Sequence, residues 1–191
     1  MRRLATQYWS VPMACVVSFM CYLKTLCPTV YVEGTGELIG ATHFLGTAHP
    51  TGYPLFCLFG RLFSAFLPFG EAAYKINLAT ACTGALATAA LSAFLRWRTC
   101  NSWSALATAL AFGFSSTFWS QVVIAEVYGL STLAIIAVMG IGIKAAERRD
   151  ERSLILLFYL MGLGLTTHLS QVLVWPGLVV LLAWQVELQR S

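Results

Sequence analysis

Glu37 follows Gly34-Thr35-Gly36 at the start of a segment that reads as a short helix, where the peptide dipoles favour a negative charge. A carboxylate there can take a proton as a general base, or it is a helix-start acid with no chemical duty. Glu33, four residues earlier, is the candidate accessory acid. Glu126 lies in Trp119-Ser120-Gln121-Val122-Val123-Ile124-Ala125-Glu126-Val127-Tyr128, and the sequence predicts it about two turns inside a membrane-spanning helix. Acids at such depth are costly and mark functional sites; the alternative here is a structural partner for Lys75 or Arg61. His168 and Gln171 stand one helical turn apart and are predicted to face each other, the histidine acting as a catalyst or as a hydrogen-bonding packer. Arg61 and Lys75 are cations in a stretch otherwise poor in them, which suits either an anionic lipid headgroup such as a polyprenyl phosphate or plain snorkelling to the interface.

The elements that must hold these groups are apolar. Of the 191 residues 58% are hydrophobic and 10% charged, and the mean hydropathy is +0.73, which excludes an ordinary soluble domain and makes lipid the natural solvent. The net charge of +4 does not point to nucleic acid, because the twelve Lys and Arg sit in small groups between apolar runs rather than in a stripe. Cys15, Cys21, Cys27, Cys57, Cys82 and Cys100 form no C-x-x-C pair and have no His at zinc-ligand spacing, so they read as packing residues and no metal is expected.

The chain therefore reads as an all-α, polytopic membrane helical bundle of about six spans in a single membrane domain, 1–191. The first span covers Val11 to Cys27 behind Arg2 and Arg3, and is expected to stay as an anchor. Ala72 to Leu95 follows, with alanines at 81, 85, 89 and 93 as a seam for close helix contact. Further runs cover Ser102 to Trp119, Gln121 to Ala145, Leu154 to Thr166 and Leu169 to Val186. Basic residues mark the cytosolic side, at Arg96, Arg98, Lys144, Arg148, Arg149, Arg152 and Arg190. Glu33, Glu37, Glu71, Glu126 and the three histidines then fall at the opposite face. The segment 28–70 is the outer loop. It is predicted to hold two short interfacial helices, one from an N-cap at Thr35 to Phe44 with Gly46 as its stop, the other from Pro54 to Leu67 after the rigid turn His49-Pro50-Thr51-Gly52-Tyr53-Pro54. The second, at roughly 21 Å, is too short to cross.

Gly36-Glu37-Leu38-Ile39, His49-Pro50-Thr51-Gly52-Tyr53-Pro54-Leu55, Ala73-Tyr74-Lys75-Ile76-Asn77-Leu78, Phe118-Trp119-Ser120-Gln121, Ala125-Glu126-Val127-Tyr128 and Thr167-His168-Leu169 form an ordered series. By these blocks the chain, from roughly residue 12 to residue 180, resembles the transmembrane protein 260 family of protein O-mannosyltransferases. The resemblance implies a GT-C glycosyltransferase N-terminal module in the bacterial inner membrane or the endoplasmic reticulum, with its active face periplasmic or lumenal. It would use a polyprenyl-phosphate sugar, mannose above all, and an exported acceptor protein, with no cofactor beyond the lipid-linked donor. Glu37 falls on the final acid of the family's Asp-x-Gly-Glu loop, and Gly34 occupies the position of its Asp. Glu37 becomes the catalytic base, Arg61 and Lys75 the donor-phosphate pair, and His49, Tyr53, Asn77, Gln121, Glu126, Tyr128 and His168 the walls of the substrate cavity. Two other classes stay open: a non-catalytic membrane subunit that binds lipid, and a small transporter relaying protons through Glu126 and His168.

Overall fold

A computed structural model describes residues 8–32, 34–99, 101–148 and 150–187, and the regular structure it describes is entirely helical. Glu33, Cys100 and the basic residues Arg2, Arg3, Arg149 and Arg190 lie outside the described residues. The elements in chain order are α1 (Ser10–Thr25), α2 (Thr35–Phe44), α3 (Pro54–Phe66), α4 (Ala72–Thr99), α5 (Ser102–Gly113), α6 (Ser116–Val122), α7 (Tyr128–Arg148), α8 (Glu151–Leu165), a 3-10 turn (Leu169–Val174) and α9 (Trp175–Glu187).

The central element is α4, whose 28 residues extend for about 42 Å. It packs against α1, α2, α3, α5, α6 and α7, while α8 and α9 pack on α7. Its interior face is small: Ala81, Ala85 and Ala89 are buried, and only Ala93, at the far end of the same row, is half-buried. Backbones approach where side chains are missing. A Cβ on Gly84 would fall 2.7 Å from the Val122 side chain, and one on Gly129 would fall 2.7 Å from Thr83 Oγ1. Hydrogen bonds set the antiparallel register of α1 on α4: Ser92 Oγ donates to Ser10 Oγ (3.1 Å) at one end and Asn77 Nδ2 to Cys27 O (2.8 Å) at the other. Between them the fully buried Tyr22 donates to Gly113 O at 2.8 Å.

Ionisable side chains of both signs gather at both ends of α4. At the far end of α4, Arg98 pairs with Glu147 at 3.0 Å, Arg98 and Lys144 both lie against the Trp97 ring, and Trp9 meets Trp103. Lys75 stands at the near end, with Glu37, His49 and Glu126 in the segments around it.

Helices α4 and α7 are long and apolar enough to cross a membrane. The six uninterrupted runs read from hydropathy need correction at three places. The run from Ser102 breaks after Gly113, and Ser115 caps a new helix by accepting from Phe118 N. The run from Gln121 does not begin α7, because residues 123–127 leave helical geometry and α7 starts at Tyr128. Consecutive β-branched Val122, Val123 and Ile124 disfavour helix, and the Val123 carbonyl accepts from Cys27 N (2.9 Å). Glu126 is therefore in an unwound segment, not two turns inside a span. The last run opens with a 3-10 turn, and Pro176 takes its place in the first turn of α9, where a missing N–H is tolerated.

The two short helices of segment 28–70 form as expected, with different caps. Gly34, at φ +87°, is the N-cap of α2, a backbone state open to glycine. Thr35 is instead the first helical residue, its hydroxyl donating to Tyr31 O and accepting from Tyr31 N. Leu45 (φ +53°), not Gly46, takes the left-handed stop, and Gly46 N donates to Ala41 O.

Candidate active site

Glu37 lies in the first turn of α2, and its carboxylate reaches twelve residues forward to the turn after that helix. One oxygen accepts from His49 N at 2.5 Å, the other from His49 Nδ1 at 3.0 Å. A carboxylate only accepts, so Nδ1 carries a proton, and in the neutral ring Nε2 is left as an acceptor. Tyr53 fills that role, its hydroxyl donating to Nε2 at 3.0 Å. The result is a relay of three side chains, Tyr53 to His49 to Glu37, in which each group fixes the orientation of the next. His49 and Glu37 remain about half exposed (50% and 48%), so a carboxylate oxygen is open to an incoming hydroxyl.

Tyr53 is buried and sits at φ +47°, a left-handed state that a side-chain-bearing residue adopts only when its surroundings hold it there. Leu38, Phe56 and Ile76 belong to the apolar cluster around it. Burial first, then Tyr128, Glu126 and Glu37, push the Tyr53 phenol above its ordinary range, so it is protonated and donating at neutral pH.

His168 completes the cluster from the other side of the fold. Its ring lies parallel to Tyr53 (centroids 5.9 Å, 4° apart) and touches Tyr128 (5.5 Å). Ser170 N–H donates to His168 Nδ1 at 3.1 Å and the Ser170 hydroxyl lies 2.7 Å from it, which leaves the proton on Nε2. The two histidines thus hold opposite tautomers: His49 offers an acceptor at Nε2, His168 a donor.

Beside the cluster opens a cavity of about 710 Å³ lined by Phe112, Ser115, Thr117, Phe118, Gln121, Glu126, Tyr128 and Thr132, a size in the range of small-ligand sites. The unwound segment 123–127 turns Glu126 toward it. The helix break at 114–115 places Ser115 on its wall as well.

The structure brings together Glu37, His49, Tyr53, Glu126, Tyr128 and His168, with Gln121 on the cavity wall. Asn77 is elsewhere: only 1% exposed, it donates through Nδ2 to Cys27 O (2.8 Å) and Thr29 O (3.0 Å), clamping the exit of α1. Arg61 and Lys75 do meet, but in a pocket of their own whose lining includes none of the cluster residues. Gln171 turns away from His168: its side-chain amide donates to Ser131 O (2.8 Å) and Oγ (2.9 Å). Among the described residues no three His, Cys, Asp or Glu side chains converge as a metal site would need. Sequence reasoning missed Ser170 as the group that sets the His168 tautomer, and the one signal for it was a serine two residues after a histidine that opens a helix.

A family model, the protein O-mannosyl-transferase TMEM260 N-terminal domain, matches residues 34–191. The chain is 39% identical to the protein O-mannosyl-transferase TMEM260 of Mus musculus over 114 residues, which is 59% of this chain and 16% of the mouse protein. It is 32% identical to the protein O-mannosyl-transferase tmem260 of Dictyostelium discoideum over 124 residues, 64% of this chain and 15% of that protein. The matched stretch is thus about one sixth of the length of these curated relatives. No solved structure matches the chain.

Proposed function

The chain belongs to the family of the protein O-mannosyl-transferase TMEM260 N-terminal domain, and from that premise we propose that it forms the acid-bearing part of a membrane glycosyltransferase of GT-C type. Its six apolar runs would then lie within the bilayer, with the Glu37 cluster on the periplasmic or lumenal side. The reaction is transfer of a sugar, mannose by kinship with the relatives' names, from a polyprenyl phosphate to a Ser or Thr hydroxyl of an exported protein.

The observation that carries this reading is the half-exposed Glu37 carboxylate, pinned by His49 and Tyr53 in the cluster that borders the cavity. As the acceptor oxygen bonds to the anomeric carbon, its proton passes to the Glu37 carboxylate. The bond from that carbon to the phosphate oxygen breaks, with its electron pair leaving on the phosphate. His49 holds the base in one rotamer, and Tyr53 holds His49. Glu126, Tyr128 and Gln121 are suited to the sugar hydroxyls, and His168 Nε2–H supplies a further donor. The geometry is of the kind that makes a positioned base contribute about 10²–10⁴-fold. The steps above use neither Arg61 nor Lys75, whose pocket shares no lining residue with this cavity.

The test uses membranes carrying the chain and labelled polyprenyl-phosphate mannose. Glu37→Gln is expected to lower transfer by at least two orders of magnitude, and equal transfer by both proteins removes Glu37 from the mechanism. A second reading, a lipid-binding homologue without turnover, is favoured by Gly34 standing where the family's acid stands. It predicts donor binding with no transfer in either protein.

A further inference from the structure

His43 on the last turn of α2, Arg61 on α3 and Lys75 on the first turn of α4 line one pocket of about 390 Å³, together with Ser64, Ala65, Gly70, Glu71 and Ala72. Three basic side chains from three helices face one carboxylate there. Neither the Arg61 guanidinium nor the Lys75 ammonium makes an ion pair or hydrogen bond with any described residue, although Lys75 is half-buried. Two fixed cations and a histidine against a single carboxylate make a lining of net positive charge, which attracts an anion.

The surface beside the pocket says what carries that anion. Leu58, Leu62 and Phe66 recur every fourth residue on α3, are exposed at 52%, 61% and 84%, and form a row adjoining Arg61 and Ala65. Phe44, next to His43, is 82% exposed, and Phe69, next to Gly70, is 58% exposed. An apolar row that borders a cationic pocket matches a molecule with acyl chains on one side and a phosphate on the other.

We propose that the His43–Arg61–Lys75 pocket binds the phosphate of an anionic bilayer phospholipid whose acyl chains lie along the Leu58–Leu62–Phe66 row, fixing segment 28–70 on the membrane surface. The site is distinct from the donor's. It shares no lining residue with the cavity of Glu126 and Tyr128, and it stands or falls without any transfer taking place.

The test measures lipid binding to the purified chain in detergent by native mass spectrometry, with phosphatidylglycerol, phosphatidylcholine, polyprenyl phosphate and inorganic phosphate as probes. Phosphatidylglycerol is expected to bind at least tenfold more tightly than phosphatidylcholine. Arg61→Gln with Lys75→Gln should remove that preference, and Lys24→Gln, which changes a basic residue at the end of α1, should keep it. Leu62→Ser with Phe66→Ser should weaken phosphatidylglycerol several-fold. All these side chains are exposed or half-exposed, so the substitutions remove nothing from the buried core. Unchanged phosphatidylglycerol affinity in the Arg61/Lys75 variant overturns the proposal. So does tighter binding of polyprenyl phosphate, which would make the pocket a donor subsite, and so does displacement of the lipid by inorganic phosphate at equal concentration, which would leave the acyl row no part.

Discussion

Asn77 ties the exit of α1 to α4, and removing that tie has a magnitude that follows from the geometry. Its side-chain amide donates to Cys27 O at 2.8 Å and Thr29 O at 3.0 Å, both sound distances. At about 1 kcal/mol net for each bond, Asn77→Ala should cost about 2 kcal/mol. If that is felt locally, the stretch 27–29 opens about thirtyfold more often, since 1.4 kcal/mol is about a factor of ten. The neighbouring Cys27 amide, which donates to Val123 O at 2.9 Å, is the reporter. Its hydrogen exchange should accelerate by about thirtyfold in the variant. Asn77→Asp is the sharper companion because its shape is unchanged: an acceptor replaces the donor and faces two carbonyl oxygens in a site 1% exposed. A carboxylate set against two carbonyl oxygens adds repulsion to the two lost bonds, so the Asp variant should open the stretch at least as far as the Ala variant at pH 7. Unchanged Cys27 exchange in the Ala variant, or an Asp variant that exchanges more slowly than the Ala variant, would refute the claim that this amide holds the segment leading to Glu37.

Gly84→Ala should lower the thermal midpoint in detergent, because the new methyl meets Val122 at 2.7 Å and overpacking costs about 1–3 kcal/mol; Gly162→Ala, with nothing within 4 Å, should not. At the start of α8, hydrogen bonds from the Ser153 hydroxyl (2.7 Å) and backbone N–H (2.8 Å) hold the Asp150 carboxyl below its ordinary value. A depressed folded-state pKa means the cap contributes above about pH 4 and is lost as pH falls through the folded value. Asp150→Ala should thus speed amide exchange in the first turn of α8 at pH 7, with an effect that shrinks as pH falls below about 4.

Much of this was legible in the chain because hydropathy and small-residue spacing act locally. The alanine row of α4, both short helices of segment 28–70 and the basic cluster at Lys144 all follow from patterns a few residues long. The break at 123–127 was not legible, because an apolar β-branched run satisfies the hydropathy of a span whether or not it is helical. What unwinds it is also a partner from far away in sequence, Cys27 N. The same limit applies to the site. Glu37, His49, Tyr53, Glu126 and His168 were individually conspicuous, but the relay depends on a left-handed Tyr53 that spacing does not reveal, and the His168 tautomer on Ser170, signalled by nothing more than a serine two residues on. Asn77 was grouped with the cavity residues because it shares their motif series, yet its amide is engaged by loop carbonyls. Arg61 and Lys75 were paired from charge alone, and they do line one pocket, from α3 and α4, but Glu37 is not on its wall.

The unwound stretch before α7 has a mechanical consequence. On its side of the polar cluster the chain is riveted, by Cys27 N to Val123 O and by both Asn77 bonds. On the opposite flank, among the described residues, one longer bond, Leu55 N to Thr166 O at 3.3 Å, bridges α3 to the end of α8 beside an apolar void of about 230 Å³. Widening of the site is cheapest along that second flank. The parallel rings of Tyr53 and His168 straddle it, so they part first when it yields.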